Sequence, residues 1–221
     1  MCVSDLNVLT YKVTFVIIYY IYKTKTEIDM PKQHWKGGAL LAPVPPVMVS
    51  CGDMENSNII TIAWTGIINT IPPKTYISVR PSRHSYEIIK NSREFVINLT
   101  PASLVRKADY CGIYTGAKVD KFIKCKLHKQ PSCELSCPMI EECPISLECR
   151  VTDIIPLGTH DMFIADIVGV NVDESLIDTN GKLCVERADL VAYSHGEYYE
   201  LGKKIGKFGF STDKKGGKRK K

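Results

Sequence analysis

The sequence lacks most of what marks a nucleotide-driven or metal-dependent enzyme. It holds no G-x-G-x-x-G and no G-x-x-x-x-G-K-[ST], so neither a Rossmann dinucleotide site nor a P-loop is legible. Its five histidines, His34, His84, His128, His160 and His195, show no metal-ligand spacing. Nine cysteines are many for 221 residues, yet no two stand in a C-x-x-C knuckle. Cys133, Cys137, Cys143 and Cys149 come nearest to a zinc or iron–sulfur set, but Cys149 falls within a predicted strand. Free thiols and no metal are expected.

Long hydrophobic runs are missing too. VTFVIIYYIY, between Lys12 and Lys23, is too short to cross a bilayer as a helix, and no small-residue cleavage site follows it. The expectation is a cytoplasmic chain with reduced thiols, no membrane contact and no disulfide framework. The folded body also lacks basic bias. The net charge is +5, but the last eight residues, KKGGKRKK, carry six positive charges, which leaves −1 for the rest. This excludes a nucleic-acid-binding barrel with a basic face, and residues 212–221 read as a solvated, disordered tail.

What is present is a globular composition, 44% apolar and 24% charged, long enough for one full core. Residues 1–29 lack turn punctuation and a clear amphipathic period. They read as an N-terminal extension, non-native or disordered, or as an extra strand, ahead of a domain spanning 30–211. Within that domain strands dominate. ALLAPVPPVMVSCGD ends at a Gly52-Asp53 turn, NIITIAWTG (58–66) forms a second strand, and KTYISV (74–79) a third, closed by Pro81. HSYEIIKNSREF (84–95) predicts a short helix with Ser85 as its N-cap, and FVINLT (95–100) another strand. Residues 103–116 read as helix then loop, VDKFIKCKL as a further helical turn, and 131–144 as a proline- and cysteine-rich loop. The alternating segments 145–158 and 160–173, joined at Gly158-Thr159, predict a long β-hairpin, and LIDTNGKLCV contains an Asn-Gly turn. Six or more strands with few, short helices predict a mainly β fold, a small antiparallel barrel.

One stretch concentrates chemistry. S-V-R-P-S-R-H-S packs two arginines and three hydroxyls at a strand exit and helix start, where forked donors, hydroxyls and free N–H groups make a phosphate cradle. With NIITIAWTG, I-x-x-x-P-P-K-T-Y-I-S-V-R, S-Y-E-I-I-K-N-S-R-E-F-V-I-N-L, K-A-D-Y-C-G, D-K-F and G-T-H-D-M-F-I-A-D-I-V in that order, the chain resembles the flavin reductase-like family, and within it the flavoredoxins. The resemblance runs from about residue 36 to 210 and points to Met30 as the native start. It implies an FMN-binding split β-barrel that forms a homodimer, with non-covalent FMN near the subunit interface. It also implies cofactor contacts at Asn58, Trp64, Thr65, Ser85, Lys121 and Tyr193, and a catalytic position at His160. The residue chemistry adds Arg80, Ser82 and Arg83, beside Ser85, for a dianionic phosphate. Asn58, Thr61 and Thr65 suit the ribityl chain and ring edge, and Trp64 suits the ring face. The implied activity is that of an NAD(P)H:flavin oxidoreductase, or of an electron carrier serving a redox protein partner. A flavin-binding sensor or storage protein is the alternative.

Overall fold

The computed structural model describes residues 32–212. The extension 1–29 and the basic run 214–221 lie outside the described residues. Two compact units divide the chain, ending and beginning at Ala39 and Leu40. In the first, residues 32–39 are exposed and carry no regular element. The regular elements lie in the second.

Its centre is one seven-stranded antiparallel sheet. The strands are β1 (Val47–Gly52), β2 (Ser57–Ile62), β3 (Thr65–Thr70), β4 (Pro73–Val79), β5 (Glu94–Leu99), β8 (Ile145–Pro156) and β9 (Asp161–Val172), in the order β2-β1-β5-β8-β9-β4-β3. A separate short antiparallel pair is formed by β6 (Lys129–Gln130) and β7 (Met139–Ile140). β2 and β3 end the sheet on opposite sides, yet only Ala63 and Trp64 separate them in the chain. The sheet therefore curls back on itself, the arrangement of a split barrel. This corrects the reading of 58–66 as one strand. The apolar run continues unbroken, but the strand stops at Ile62 and restarts at Thr65, where the chain passes from one sheet edge to the other. β3 itself had no sequence signal of its own, because its side chains from Ile67 onward are solvent-exposed.

β1 and β5 are buried on both faces, which gives their near-continuous apolar runs, whereas β8 is largely buried up to Val151 and exposed or half-buried beyond it. Val47, Val49, Ile60, Ile62, Ile77, Phe95, Ile97 and Phe163 fill the barrel. Met48 and Ile59 point the other way, with Ala108, Cys111, Phe122 and Ile140, into a second cluster under the helices. Of the helices, α1 (His84–Ser92) packs Tyr86 and Ile89 into the first cluster, while α2 (Val105–Ile113) and α3 (Lys121–Cys125) cover the second. A two-stranded ribbon, β10 (Val191–Ser194) with β11 (Glu197–Glu200), is tied to the body where Val44 and Tyr193 exchange backbone bonds of 2.9 and 2.8 Å.

The predicted helix 84–95 is shorter than expected. It stops at Ser92 because Arg93 turns left-handed (φ 61°) and returns its N–H to the Ile89 carbonyl, so that Glu94 starts β5. Ser85 is not its N-cap; that position is Arg83, whose side chain makes no capping bond. The Ser85 hydroxyl instead accepts from Asn58 Nδ2 at 2.7 Å. The long hairpin is present, with Gly158 at φ +101° in its turn. No helix among the described residues is long and apolar enough to cross a membrane.

Candidate functional site

The end of β2, the β2–β3 crossing and the start of α1 converge on a cleft of about 480 Å³. A smaller niche of about 70 Å³ adjoins it, sharing Ile60, Arg83 and Gly112 as walls. These volumes suit a nucleotide-sized ligand with one buried polar end.

Asn58, Ser82, Arg83, Ser85 and Lys121 line the niche, five of the residues expected from sequence. β2 presents Asn58, and the first turn of α1, nine residues long, presents Ser85 and its own free N–H groups. The Asn58 amide lies so close to Gly116 that a Cβ there would meet its oxygen at 2.2 Å, so only glycine fits beside it. Lys121 opens α3, whose N-cap Asp120 accepts from the Ile123 N–H at 3.1 Å. Its side chain is buried, and Nζ donates to the Ile59 and Cys111 carbonyls at 2.6 and 2.8 Å. Burial holds this ammonium below the ordinary lysine pKa; Arg83 adds to the depression, while the nearby Cys111 and Cys51 thiols oppose it. Among the described residues neither Lys121 nor Arg83 has a carboxylate within ion-pair distance, and no carboxylate lines the niche. Two cations, two serine hydroxyls, an amide and a helix N-terminus thus surround a small space that no carboxylate lines.

Thr61, Trp64, Arg80, Arg83, His160 and Tyr193 line the larger cleft. The Trp64 and His160 rings lie 4.7 Å apart, tilted by 46°. Arg80 Nε donates to His160 Nε2 at 3.3 Å, which assigns the imidazole proton to Nδ1, where it is given to Thr159 Oγ1 at 2.9 Å. Burial, then Arg80 and Arg83, keep the His160 pKa below its ordinary value, so the ring is neutral at pH 7. The next residue, Asp161, accepts the Tyr86 hydroxyl at 2.5 Å, pinning the hairpin tip to α1.

Two expected residues are committed elsewhere. Thr65 lines neither cavity; its buried hydroxyl donates to the Tyr76 carbonyl at 2.6 Å. Thr61 reaches the cleft, but its hydroxyl donates to the Ala108 carbonyl. Sequence reasoning missed Asp109 and Tyr198, which also line the cleft. Asp109 sits inside K-A-D-Y-C-G, but nothing in that run separates it from a solvated helix carboxylate. Tyr198 and Tyr199 are indistinguishable in sequence. The cysteines gather no metal site: among the described residues no group of three or more His, Cys, Asp or Glu side chains is arranged for one.

Known proteins share the sequence pattern and the fold. Residues 40–202 match the flavin reductase like domain, and the chain belongs to that family. Flavoredoxin of Desulfovibrio vulgaris (Miyazaki F) superposes with a TM-score of 0.76 at 30% identity, covering 82% of this chain and all of that one. Flavoredoxin from Methanosarcina acetivorans gives 0.75 at 24% identity, over 83% of this chain and 98% of the other, a likeness of fold. An NADPH-flavin oxidoreductase of Streptomyces viridifaciens is 24% identical over 148 residues, 64% of this chain and 74% of its own. The chain is thus a flavin-related redox protein of split-barrel fold.

Proposed function

We propose that this protein binds FMN non-covalently, its phosphate held in the niche and its ring in the cleft. In this reading it acts as an NAD(P)H:flavin oxidoreductase or a flavoredoxin-like electron carrier. The observation that carries the reading is the Lys121 ammonium, buried beside Arg83 with carbonyl partners but no counter-ion. A desolvated cation without an anion is costly, and a dianionic phosphate supplies the missing charge. Ser85, Asn58 and the α1 N–H groups add neutral donors. A niche of about 70 Å³ suits a terminal phosphate, whereas FAD would have to continue through it into AMP, so FMN is preferred.

Bound FMN supplies the two-electron chemistry. The protein's part is to seat and shield it. Trp64 offers an aromatic face, and the neutral His160, its Nδ1 proton given to Thr159 and its Nε2 bonded by Arg80, is held with its ring where a reductant would meet the flavin. Tyr193 closes the same space. The proposed functional body is 30–211, and a homodimer fits the exposed apolar residues at the β3 edge, Ile67, Ile68 and Ile71, the last 89% exposed. A cysteine-based sensor is less favoured, because burial first of all pushes the Cys51 and Cys111 thiols up to about 11 and about 12, where thiolate is scarce.

The purified protein should be yellow, with FMN released on denaturation. Anaerobic NADH or NADPH should bleach the flavin band if it is a reductase. Flavin that ignores both nucleotides but accepts electrons from dithionite would make it a carrier. Colourless protein that takes up no added FMN would overturn the proposal.

A further inference from the structure

The cleft holds one acidic group beside its arginines. Asp109, half-buried on α2, is the sole carboxylate among the described residues lining it, in company with Arg80 and Arg83. It forms no ion pair with either. Its one hydrogen bond is from the Tyr198 hydroxyl to Oδ1, at 3.2 Å. Tyr198 is itself fixed, its ring edge-on to Tyr193 at 5.2 Å and both side chains presented by the β10–β11 ribbon. Burial and then the Asp109 charge push its phenol up to about 12, so at neutral pH it can only be protonated and donating. A carboxylate held by one neutral donor, with lone pairs to spare, is an acceptor waiting for an N–H.

The pyrimidine edge of an isoalloxazine offers one such donor, its imide N–H, between two carbonyls. We propose that the Asp109 carboxylate, oriented by Tyr198, accepts the imide N–H of the bound flavin and by its charge keeps the cofactor's reduction potential low. This rests on the flavin reading above. Two-electron reduction with uptake of one proton leaves the ring one negative charge richer than before. A fixed carboxylate beside that edge therefore destabilises the reduced form more than the oxidised one. For charges about 6 Å apart at an effective dielectric of about 40, between a protein surface and bulk water, a shift of about tenfold in relative affinity is expected. Tyr198 acts through Asp109 as a positioning residue, spreading its charge by hydrogen bonding.

The test uses the FMN-loaded protein and its Asp109→Asn and Tyr198→Phe variants, each read for oxidised-FMN affinity by fluorescence and for midpoint potential against a reference dye. Asparagine still offers an acceptor oxygen, so oxidised FMN should bind Asp109→Asn within about threefold of wild type. The ratio of reduced to oxidised affinity should rise about tenfold, a potential higher by ~30 mV for a two-electron couple. Tyr198→Phe, which strips a donor from the carboxylate, should move the potential the other way. A purely structural role would change both redox forms alike and leave the potential in place. Wild-type protein that binds FMN while Asp109→Asn shows an unshifted or lowered potential would overturn this inference alone. Wild-type protein that binds no FMN would overturn the flavin reading, and this inference with it.

Discussion

Lys121→Met should weaken FMN binding by about a hundredfold while leaving the fold intact. Methionine is close to lysine in length and unbranched, so the pocket between α2, α3 and β2 keeps its filling. What disappears is the one fully buried positive charge of the niche, whose Nζ lies between the Ile59 and Cys111 carbonyls. A charge-assisted hydrogen bond contributes roughly 1.5–3 kcal/mol net, and truncating one partner of a buried charge pair costs ~2–5 kcal/mol. Taking ~3 kcal/mol as the central value gives the hundredfold loss. Titration calorimetry with FMN reads it directly, and far-UV circular dichroism checks the fold. An affinity within threefold of wild type would mean that the ammonium serves the packing of α3 and not the ligand.

Glu148→Ala should be strongly destabilising, and it should act away from the cleft. Glu148 lies on β8 with no exposed surface. Its carboxylate accepts the Cys133 and Glu134 N–H groups at 3.0 and 2.7 Å and the Asn171 amide at 2.7 Å, holding down the start of the cysteine-rich loop. Alanine leaves three donors orphaned, at ~1–3 kcal/mol each, so a loss of about 4 kcal/mol is expected, with proteolysis near residues 131–138. Burial alone would raise the Glu148 pKa, but the hydrogen bonds from Cys133, Glu134 and Asn171 outweigh it and the folded value lies below the ordinary 4.5. The sign follows: this carboxylate's stabilisation is complete above pH 4.5 and is lost as the pH falls through the depressed folded value. Urea unfolding from pH 7 downward should show a shallower slope in Glu148→Gln than in wild type, the remainder coming from Asp53, Asp173 and Asp178, which hydrogen bonds also hold below their ordinary values. A loss under 1 kcal/mol in the alanine variant, or weakened FMN binding with the loop intact, would contradict this assignment.

The two predictions concern residues of different legibility. Lys121 was expected from D-K-F through the family resemblance, and its burial gives that expectation a physical reason. Glu148 sits in an alternating segment, ISLECRVTD, where any carboxylate reads as solvent-facing. Only the loop folded over β8 shows what it bonds. The strand pattern likewise placed β1, β2, β4, β5 and the β8–β9 hairpin, because each buries one face or both. It could not reveal the break at Ala63-Trp64, since the apolar run says nothing about where a sheet closes. It gave no hint of β3, whose outer residues are apolar and exposed. Ser85 shows how a local rule can mislead. A hydroxyl at a helix start suggests a cap, but here Asn58, 27 residues earlier in the chain, claims it. Asp109 and Tyr198 meet only because α2 and the terminal ribbon converge on the cleft, a pairing of distant segments that spacing cannot encode.

The central claim is that the niche of Arg83, Lys121, Ser85 and Asn58 is built for the phosphate of a flavin mononucleotide. Paired titrations of the apoprotein with FMN and with riboflavin, which differ only in that phosphate, test it most directly. FMN should bind tighter than riboflavin by about a hundredfold or more, from two or more charge-assisted contacts. Equal affinity for the two, or binding of neither, would contradict it.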